Sequence, residues 1–162
     1  MKRFGSTTWN GDLREGKGAV STESRALESY PYNFFTRYGE KPGTNPEELL
    51  GAAHAACFTM SFVRLLGMAN FVPEQVDSKS DVTIEKDGDG FSITSVYLTV
   101  TARIPGMDGN TFHTIAAQAK AGCPVSKLMK VEVGFEATLV SSACTEGMHR
   151  VCFGSEHLTA RN

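Results

Sequence analysis

The fold is decided by residues 44–67, which read TNPEELLGAAHAACFTMSFVRLLG. Asn45 is a favoured N-cap residue, Pro46 suits the first helical position, and the two acidic residues that follow lie where the helix dipole favours negative charge. An uninterrupted helical stretch continues to Leu66, and Gly67 is typical of a helix end. The sequence therefore predicts a helix from Pro46 to Leu66.

Apolar side chains, small and large, are distributed around the whole circumference of this predicted helix. A helix that is apolar all round is expected to be buried on most sides. A domain within a chain of 162 residues offers few places for such a helix. A sheet against one face and a second subunit against the other would provide one.

Upstream of the helix, the pattern predicts short β-elements. Residues 3–10 and 16–24 alternate weakly and are separated by glycines, which indicates a short hairpin or two short strands. Residues 25–45 contain several Pro and Gly residues. They are predicted to form an ordered loop, with a strand near residues 34–38.

Downstream of the helix, residues 75–86 and 91–103 alternate with period two around the turn sequence Asp87–Gly90, which predicts a β-hairpin. A second helix, a short helical turn and a final strand are predicted at residues 111–121, 125–129 and 131–140. The strands are grouped before and after the helices rather than in β-α-β repeats. This arrangement indicates an α+β fold.

The composition is typical of a soluble globular protein. The 16 Lys and Arg residues are balanced by 18 Asp and Glu, which excludes the strongly basic character of nucleic-acid-binding proteins. The 41% apolar content is too high for a disordered chain. The most apolar stretch, residues 49–72, contains His54 and Arg64, which argues against a membrane span, and no secretion signal is evident. We therefore expect a cytoplasmic protein with one domain at residues 1–140 and a tail of unknown role at residues 141–162.

The cysteines are Cys57, Cys123, Cys144 and Cys152, and no pair has C-x-x-C spacing. Cys57 lies in the middle of the predicted helix, where it is either a buried apolar residue or a reactive thiol. Cys123 follows a helix-ending glycine and precedes a proline. It is therefore expected at a helix junction, where free backbone N–H groups favour a thiolate. The spacing alone does not decide whether two of these thiols meet.

Two segments around cysteines resemble a known family. Residues 44–58 resemble the first signature of the OsmC/Ohr hydroperoxide-reductase family, and residues 119–126, AKAGCPVS, resemble the second. Three further stretches resemble the OsmC branch rather than the Ohr branch, at residues 16–24, 31–38 and 104–106. The resemblance covers residues 3–140 and does not extend into the tail.

This resemblance implies a fold, an assembly and an activity. The expected fold is the OsmC-like α+β fold, in which antiparallel sheets wrap around two central helices of an intertwined homodimer. The implied activity is a thiol-dependent peroxidase that reduces organic hydroperoxides and, less well, hydrogen peroxide. No cofactor or metal is implied, and neither nucleic acid nor a membrane is an expected partner. The implied reductant is a thiol or dithiol, and lipoylated proteins serve this role in the Ohr branch.

The resemblance also implies individual roles. Cys57 resembles the peroxidatic thiol, Cys123 the resolving thiol, Arg37 the arginine that stabilises the thiolate, and Glu47 the acid that orients this arginine. The chemistry requires such groups, because a thiol with pKa near 8.5 is only about 3% thiolate at pH 7, whereas one with pKa near 6 is about 90% thiolate. A guanidinium supplies such a shift, and a carboxylate holds it through a bidentate pair.

Helix geometry raises a question about subunits. Glu47 precedes Cys57 by ten residues, which corresponds to about 15 Å along one straight helix. If both residues serve one site, the acid comes from a neighbouring subunit or the first helical turn is unwound.

Other functions are compatible with parts of the sequence. His54 lies three residues before Cys57, on a similar helix face, as a base in a Cys–His hydrolase would. Packing or hydrogen bonding by His54 is the simpler interpretation. A small-molecule-binding stress protein without efficient turnover is a third hypothesis.

Two segments could bind metals. Asp87–Gly90 is similar to the start of a calcium loop, but the twelfth position is Leu98 rather than glutamate, which favours a turn. In the tail, zinc ligands could come from Cys144, His149, Cys152 and His157. Their spacing matches no common zinc finger, so incidental thiols in a loose tail are favoured.

Overall fold

The computed structural model describes residues 1–140, which fall into two compact units, Met1–Leu49 and a second unit that begins at Leu50. The tail at residues 141–162, with Cys144 and Cys152, lies outside the described residues. The prediction of a tail distinct from the domain therefore stays a prediction.

The first unit contains a three-stranded antiparallel sheet. Its strands are β1 (Gly5–Asn10), β2 (Lys17–Thr22) and β3 (Tyr30–Tyr32), in that spatial order. The β1–β2 hairpin confirms the prediction for this segment. All six residues of β1 are exposed in the single chain.

Helix α1 (Phe34–Tyr38) follows the sheet, so the prediction of a strand at residues 34–38 is wrong. The reason is a capping box. The Asn33 side chain accepts hydrogen bonds from the backbone of Phe35 and Thr36, while the Thr36 hydroxyl accepts one from the Asn33 N–H at 2.9 Å. This local network favours a helical turn over an extended chain, and it places Arg37 in the last turn of α1.

Helix α2 (Pro46–Met68) confirms the predicted long helix and runs one residue beyond Gly67. The Asn45 side chain accepts the Glu48 N–H at 2.8 Å, as expected of an N-cap residue. The buried residues of α2 in the described part of the chain form one stripe along the helix, made of Gly51, His54, Phe58, Phe62 and Leu66. One side of α2 is therefore buried as expected, and burial of the other side against a second subunit stays a prediction.

Helix α2 is long and apolar enough to cross a membrane, judged by length and composition alone. Its buried stripe, however, packs against the sheet and helix of the second unit. The Phe62 ring contacts the Phe112 ring with a centroid distance of 5.7 Å, and the Phe58 ring contacts Phe135 at 5.6 Å. These contacts make α2 the core helix of that unit.

The sheet of the second unit contains β4 (Gln75–Asp87), β5 (Gly90–Arg103) and β6 (Val133–Val140), in that order. Strands β4 and β5 form the predicted hairpin, and Gly88 adopts a positive φ of 59° in its turn. Strand β6 pairs with β5 in parallel, so the expectation of purely antiparallel sheets is correct only for the other pairs. The parallel pairing follows from the connection through two helices, because parallel neighbours require a crossover.

The two helices of this crossover are α3 (Gly109–Gly122) and α4 (Pro124–Leu128). Helix α3 begins two residues before the predicted start because the Asp108 side chain accepts the Thr111 N–H at 3.0 Å. The predicted short turn after Cys123 corresponds to α4. Cys123 itself is the single residue between the two helices.

Helix α2 approaches β4 closely at Gly51. A Cβ atom at this position would lie 2.6 Å from the Ser80 carbonyl oxygen, well inside van der Waals contact. Only glycine fits such an approach without a shift of the backbone. The approach lets the next inward-facing residue of α2, His54, reach β4.

Candidate active site

Two cysteines meet in the core of the second unit. The Cys57 thiol, on α2, forms a hydrogen bond with Cys123, at the junction of α3 and α4. Both are free thiols, and Cys57 is partly exposed whereas Cys123 is fully buried. The fold thus brings together the two cysteines that the sequence alone could not pair.

The two thiols differ in acidity. Burial raises the pKa of Cys57, and the hydrogen bond with Cys123 raises it further. Burial acts in the same direction on Cys123, but hydrogen bonds from the Ser126 hydroxyl and backbone outweigh it and leave the pKa of Cys123 below its ordinary value.

His54 lies beside this pair and is fully buried. Its Nδ1 atom is 2.8 Å from the Ser80 hydroxyl oxygen, and its Nε2 atom is 2.8 Å from the Ser126 hydroxyl oxygen. Burial lowers the pKa of His54, so the imidazole is neutral at pH 7. The hydrogen-bonding interpretation of His54 is confirmed. A Cys–His hydrolase is disfavoured because both ring nitrogens already have hydroxyl partners.

The other two predicted site residues form an ion pair in the first unit. Arg37 Nη2 lies 2.7 Å from Glu47 Oε1, and Arg37 Nε lies 3.2 Å and 3.3 Å from the two carboxylate oxygens. The hydrogen bonds with Glu47 raise the pKa of Arg37. The Glu47 side chain is only 12% exposed, so this pair is better ordered than a typical surface salt bridge. The carboxylate holds the guanidinium in one orientation.

Sequence analysis missed Ser126 and Ser80. Ser126 is the last residue of the second signature and lies three residues after Cys123, which is a usable signal. Ser80 is one of several polar residues on an alternating strand, and nothing local distinguishes it.

The metal hypotheses have different outcomes. Asp87–Gly90 forms the hairpin turn, and the Asp87 carboxylate accepts a hydrogen bond from the Ser92 hydroxyl at 2.6 Å. Among residues 1–140, no group of three or more His, Cys, Asp or Glu side chains is arranged to hold a metal ion. The zinc hypothesis for Cys144, His149, Cys152 and His157 concerns residues outside the described part of the chain.

An α+β fold with two adjoining thiols in its core defines a class of dithiol redox proteins, in which one thiol is oxidised and the other forms a disulfide with it. Comparison with known proteins narrows this class. The model of the family described as OsmC-like protein matches residues 39–138. The chain belongs to this family, as its two signatures predict.

Curated relatives agree in sequence. Peroxiredoxin OsmC of Escherichia coli (strain K12) is 48% identical over 141 residues, which cover 87% of this chain and 99% of the relative. The organic hydroperoxide resistance protein of Xanthomonas axonopodis pv. citri (strain 306) is 32% identical over 130 residues, covering 78% of this chain and 87% of the relative. Both names agree with the peroxidase activity that the sequence predicts.

Solved structures agree in fold. An OsmC-like protein of unknown function from Vibrio cholerae O1 biovar eltor superimposes with a TM-score of 0.69 at 16% identity, covering 85% of this chain and 99% of that chain. The organic hydroperoxide resistance protein OhrB of Bacillus subtilis gives a TM-score of 0.60 at 22% identity, covering 85% and 98%. The predicted OsmC-like α+β fold is confirmed.

Proposed function

We propose that the protein is a thiol-dependent peroxidase that reduces organic hydroperoxides, and hydrogen peroxide less well, to alcohols or water. The observation that carries this function is the hydrogen-bonded pair of free thiols at Cys57 and Cys123. The names of the two curated relatives, a peroxiredoxin and an organic hydroperoxide resistance protein, support the same activity and the organic substrate class.

The reaction proceeds in three steps. The Cys57 thiolate attacks one peroxide oxygen, the O–O bond breaks, and the alcohol leaves after it takes up a proton, which gives a sulfenic acid. Cys123 then displaces the sulfenic oxygen as water and forms the Cys57–Cys123 disulfide. An external thiol or dithiol reduces this disulfide by exchange. Cys57 suits the first role because it is the partly exposed thiol, whereas Cys123 is fully buried.

The first step requires a positive charge near Cys57. Burial raises the pKa of Cys57, so the second unit by itself disfavours the nucleophilic thiolate. In this proposal the Arg37 guanidinium, oriented by Glu47, lowers this pKa and donates hydrogen bonds to the peroxide.

We assign that guanidinium to the partner subunit of a homodimer. The continuity of helix α2 from Pro46 to Met68 supports this assignment, because Glu47 then precedes Cys57 by about 15 Å of helical rise. The exposed side of α2 carries apolar residues such as Met60, which is 75% exposed, and Met68, which is 70% exposed. A two-fold dimer that covers this side would build the same site twice.

A reducing compartment fits this cycle. The pair at Cys57 and Cys123 must return to free thiols after each turnover, and cytosolic thiol systems maintain that state. We therefore place the protein in the cytoplasm, with a small thiol, a dithiol protein or a lipoylated protein as reductant.

The test is a peptide map without reduction after one equivalent of cumene hydroperoxide. The full chain is used with Cys144→Ser and Cys152→Ser, so that only the proposed pair can cross-link. We expect a Cys57–Cys123 disulfide in this protein and none in the additional Cys57→Ser variant. If peroxide persists and both thiols remain free, the peroxidase function is excluded. A small-molecule-binding protein would give that outcome, and a hydrolase would cleave an ester without loss of thiols.

A further inference from the structure

Next to the proposed reacting pair lies a chain of hydrogen-bonded polar side chains centred on a buried histidine. It consists of Ser80, His54 and Ser126, joined by two hydrogen bonds of 2.8 Å through the two ring nitrogens of His54. His54 is fully buried. An imidazole with both nitrogens engaged is held in one orientation, and a buried polar group of this kind is costly unless it is satisfied.

This chain ends at Cys123. The Ser126 hydroxyl hydrogen-bonds to the Cys123 sulfur as well as to His54. A hydroxyl has one proton and two lone pairs, so it can accept a proton from one neighbour while it donates its own to another. Because Cys123 is fully buried, bulk water has no direct access to its sulfur in the single chain.

We propose that Ser126 and His54 form a proton relay for Cys123 during formation of the Cys57–Cys123 disulfide. Ser126 touches the reacting sulfur and is a catalytic residue of this step, whereas His54 acts through Ser126 and is a positioning residue. The proposal rests on the proposed peroxidase function and concerns its second step alone.

The step balances without a further reactant. While Cys123 is a thiol, it donates to the Ser126 oxygen, the Ser126 hydroxyl donates to Nε2 of His54, and Nδ1–H of His54 donates to Ser80. Once Cys123 has lost its proton, the Ser126 hydroxyl donates to the Cys123 sulfur. As the sulfur of Cys123 bonds to that of Cys57, its proton passes to Ser126 and the Ser126 proton passes to Nε2. The S–O bond of the sulfenic acid breaks, and its oxygen leaves as hydroxide. The hydroxide takes up the proton that Nε2 of His54 releases and becomes water. The Cys123 sulfur is oxidised and the sulfenic sulfur is reduced.

The electrostatic surroundings support this relay. Burial lowers the pKa of His54, so the ring is neutral at pH 7 and one of its two nitrogens is free to accept a proton. The hydrogen bonds of Ser126 counteract the effect of burial on the pKa of Cys123.

The charged groups on the surrounding elements either have partners of their own or are exposed to solvent. Cys57 is the ionisable group on α2 that faces Cys123. On α3, the Lys120 ammonium lies over the Phe135 ring, 5.7 Å from its centroid. On β4, Lys79 beside Ser80 pairs with Asp81 at 2.6 Å. On α4, Lys127 follows Ser126 and is exposed.

The test separates the two thiol reactions in a single turnover. The full chain with Cys144→Ser and Cys152→Ser is mixed with one equivalent of cumene hydroperoxide and quenched at set times. Dimedone labelling measures the sulfenic acid at Cys57, and peptide mapping measures the disulfide. In Ser126→Ala and His54→Gln we expect the sulfenic acid to form at the unchanged rate and the disulfide about tenfold more slowly.

Two control variants distinguish a relay from packing. Ser126→Thr keeps the hydroxyl, and its disulfide rate should stay within about twofold of the parent. Ser78→Ala removes a similarly short hydrogen bond, from Thr59 at 2.7 Å, outside the relay and should not change either rate. In Ser126→Ala the half-maximal disulfide rate should also move to higher pH, because the thiolate of Cys123 loses a donor.

The relay is excluded if Ser126→Ala forms the disulfide at the parent rate with the same pH profile, or if Ser78→Ala is slowed equally. Failure of the parent protein to form sulfenic acid would instead overturn the proposed function, and the relay with it. If His54→Gln does not fold, as judged by circular dichroism, the comparison of Ser126→Ala with Ser126→Thr still decides.

Discussion

The first unit carries a partly exposed ion pair, Arg37 with Glu47, whereas the second carries a pair of free thiols, of which Cys57 is partly exposed and Cys123 is fully buried. The Arg37 side chain is 34% exposed, while Cys123 and His54 are fully buried. The first unit therefore has a cation and no nucleophile, and the second has a nucleophile whose pKa is raised by burial. In the proposed cycle the cation of the first unit would lower the pKa of the thiol of the second, so we expect peroxide reduction to need both.

The largest expected effect comes from removal of the cation. In Arg37→Met, the pKa of Cys57 should remain high, because nothing opposes the effect of burial, and sulfenic acid formation at pH 7 should fall by about thirtyfold. The half-maximal rate should move to higher pH, since the thiolate is the reactive form. Stopped-flow measurement of Cys57 oxidation across pH tests both. Glu47→Gln, which keeps Arg37 but loosens its orientation, should cause a smaller loss.

Mixed dimers test whether the two regions cooperate across subunits. Arg37→Met chains, which should keep only a few per cent of the parent activity, and inactive Cys57→Ser chains are unfolded together and refolded in equal amounts. If the site uses Arg37 of one chain and Cys57 of the other, half of the dimers carry one intact site of two, and about a quarter of the parent activity returns. No recovery in mixed dimers, verified by mass spectrometry, would place both residues of a site in one chain.

A smaller effect concerns His54 in the second unit alone: the stability of the protein should decrease at acidic pH. Burial lowers the pKa of His54 below the value of 6.5 expected in the unfolded chain. Above pH 6.5, His54 is neutral in both the folded and the unfolded chain, so it makes the free energy of unfolding no more dependent on pH. Below pH 6.5, His54 binds a proton in the unfolded chain but not in the folded chain, so the free energy of unfolding falls as the pH decreases.

Urea unfolding between pH 7.5 and pH 5 measures this slope, over a range of about two units around the ordinary pKa of histidine. His54→Gln should flatten it, whereas His113→Gln, on α3, should leave it in place because His54 is untouched. An unchanged slope in His54→Gln would mean that His54 is not the group held neutral by burial.

The parts of the fold that the sequence predicted are those set by local signals. Helix α2 was predicted from Asn45 and Pro46, and the β4–β5 hairpin from the turn at Asp87–Gly90. Helix α1 was missed because the capping pair Asn33 and Thr36 was overlooked among Pro and Gly residues. The parallel pairing of β6 depends on where a two-helix crossover returns the chain, which no local pattern specifies.

The residues of the candidate site were also predicted only in part from the sequence. The resemblance to a family supplied the roles of Cys57, Cys123, Arg37 and Glu47, whereas spacing alone left the cysteines unpaired. The structure adds the contact between the two thiols and the pair of Arg37 with Glu47. Ser80 could not be predicted because its role comes from a histidine that lies far from it in the sequence, whereas the position of Ser126 three residues after Cys123 was a signal that went unused.

The smallest expected effect contrasts one helix cap in each region. Asn33→Ala removes the cap of α1, which costs about 1 kcal/mol and lets Arg37 sample other orientations, because this helix has only five residues. Sulfenic acid formation should slow by at most about fivefold. The later disulfide step should be unchanged.

Asp108→Ala removes the corresponding cap of α3 and serves as the matched variant in the second unit. It should lower the urea midpoint of unfolding but leave the rate of sulfenic acid formation unchanged, because Arg37 keeps its partner Glu47. Single-turnover kinetics of the two variants, side by side, measure this contrast. If both variants slow sulfenic acid formation to the same extent, general stability rather than the orientation of Arg37 controls the rate.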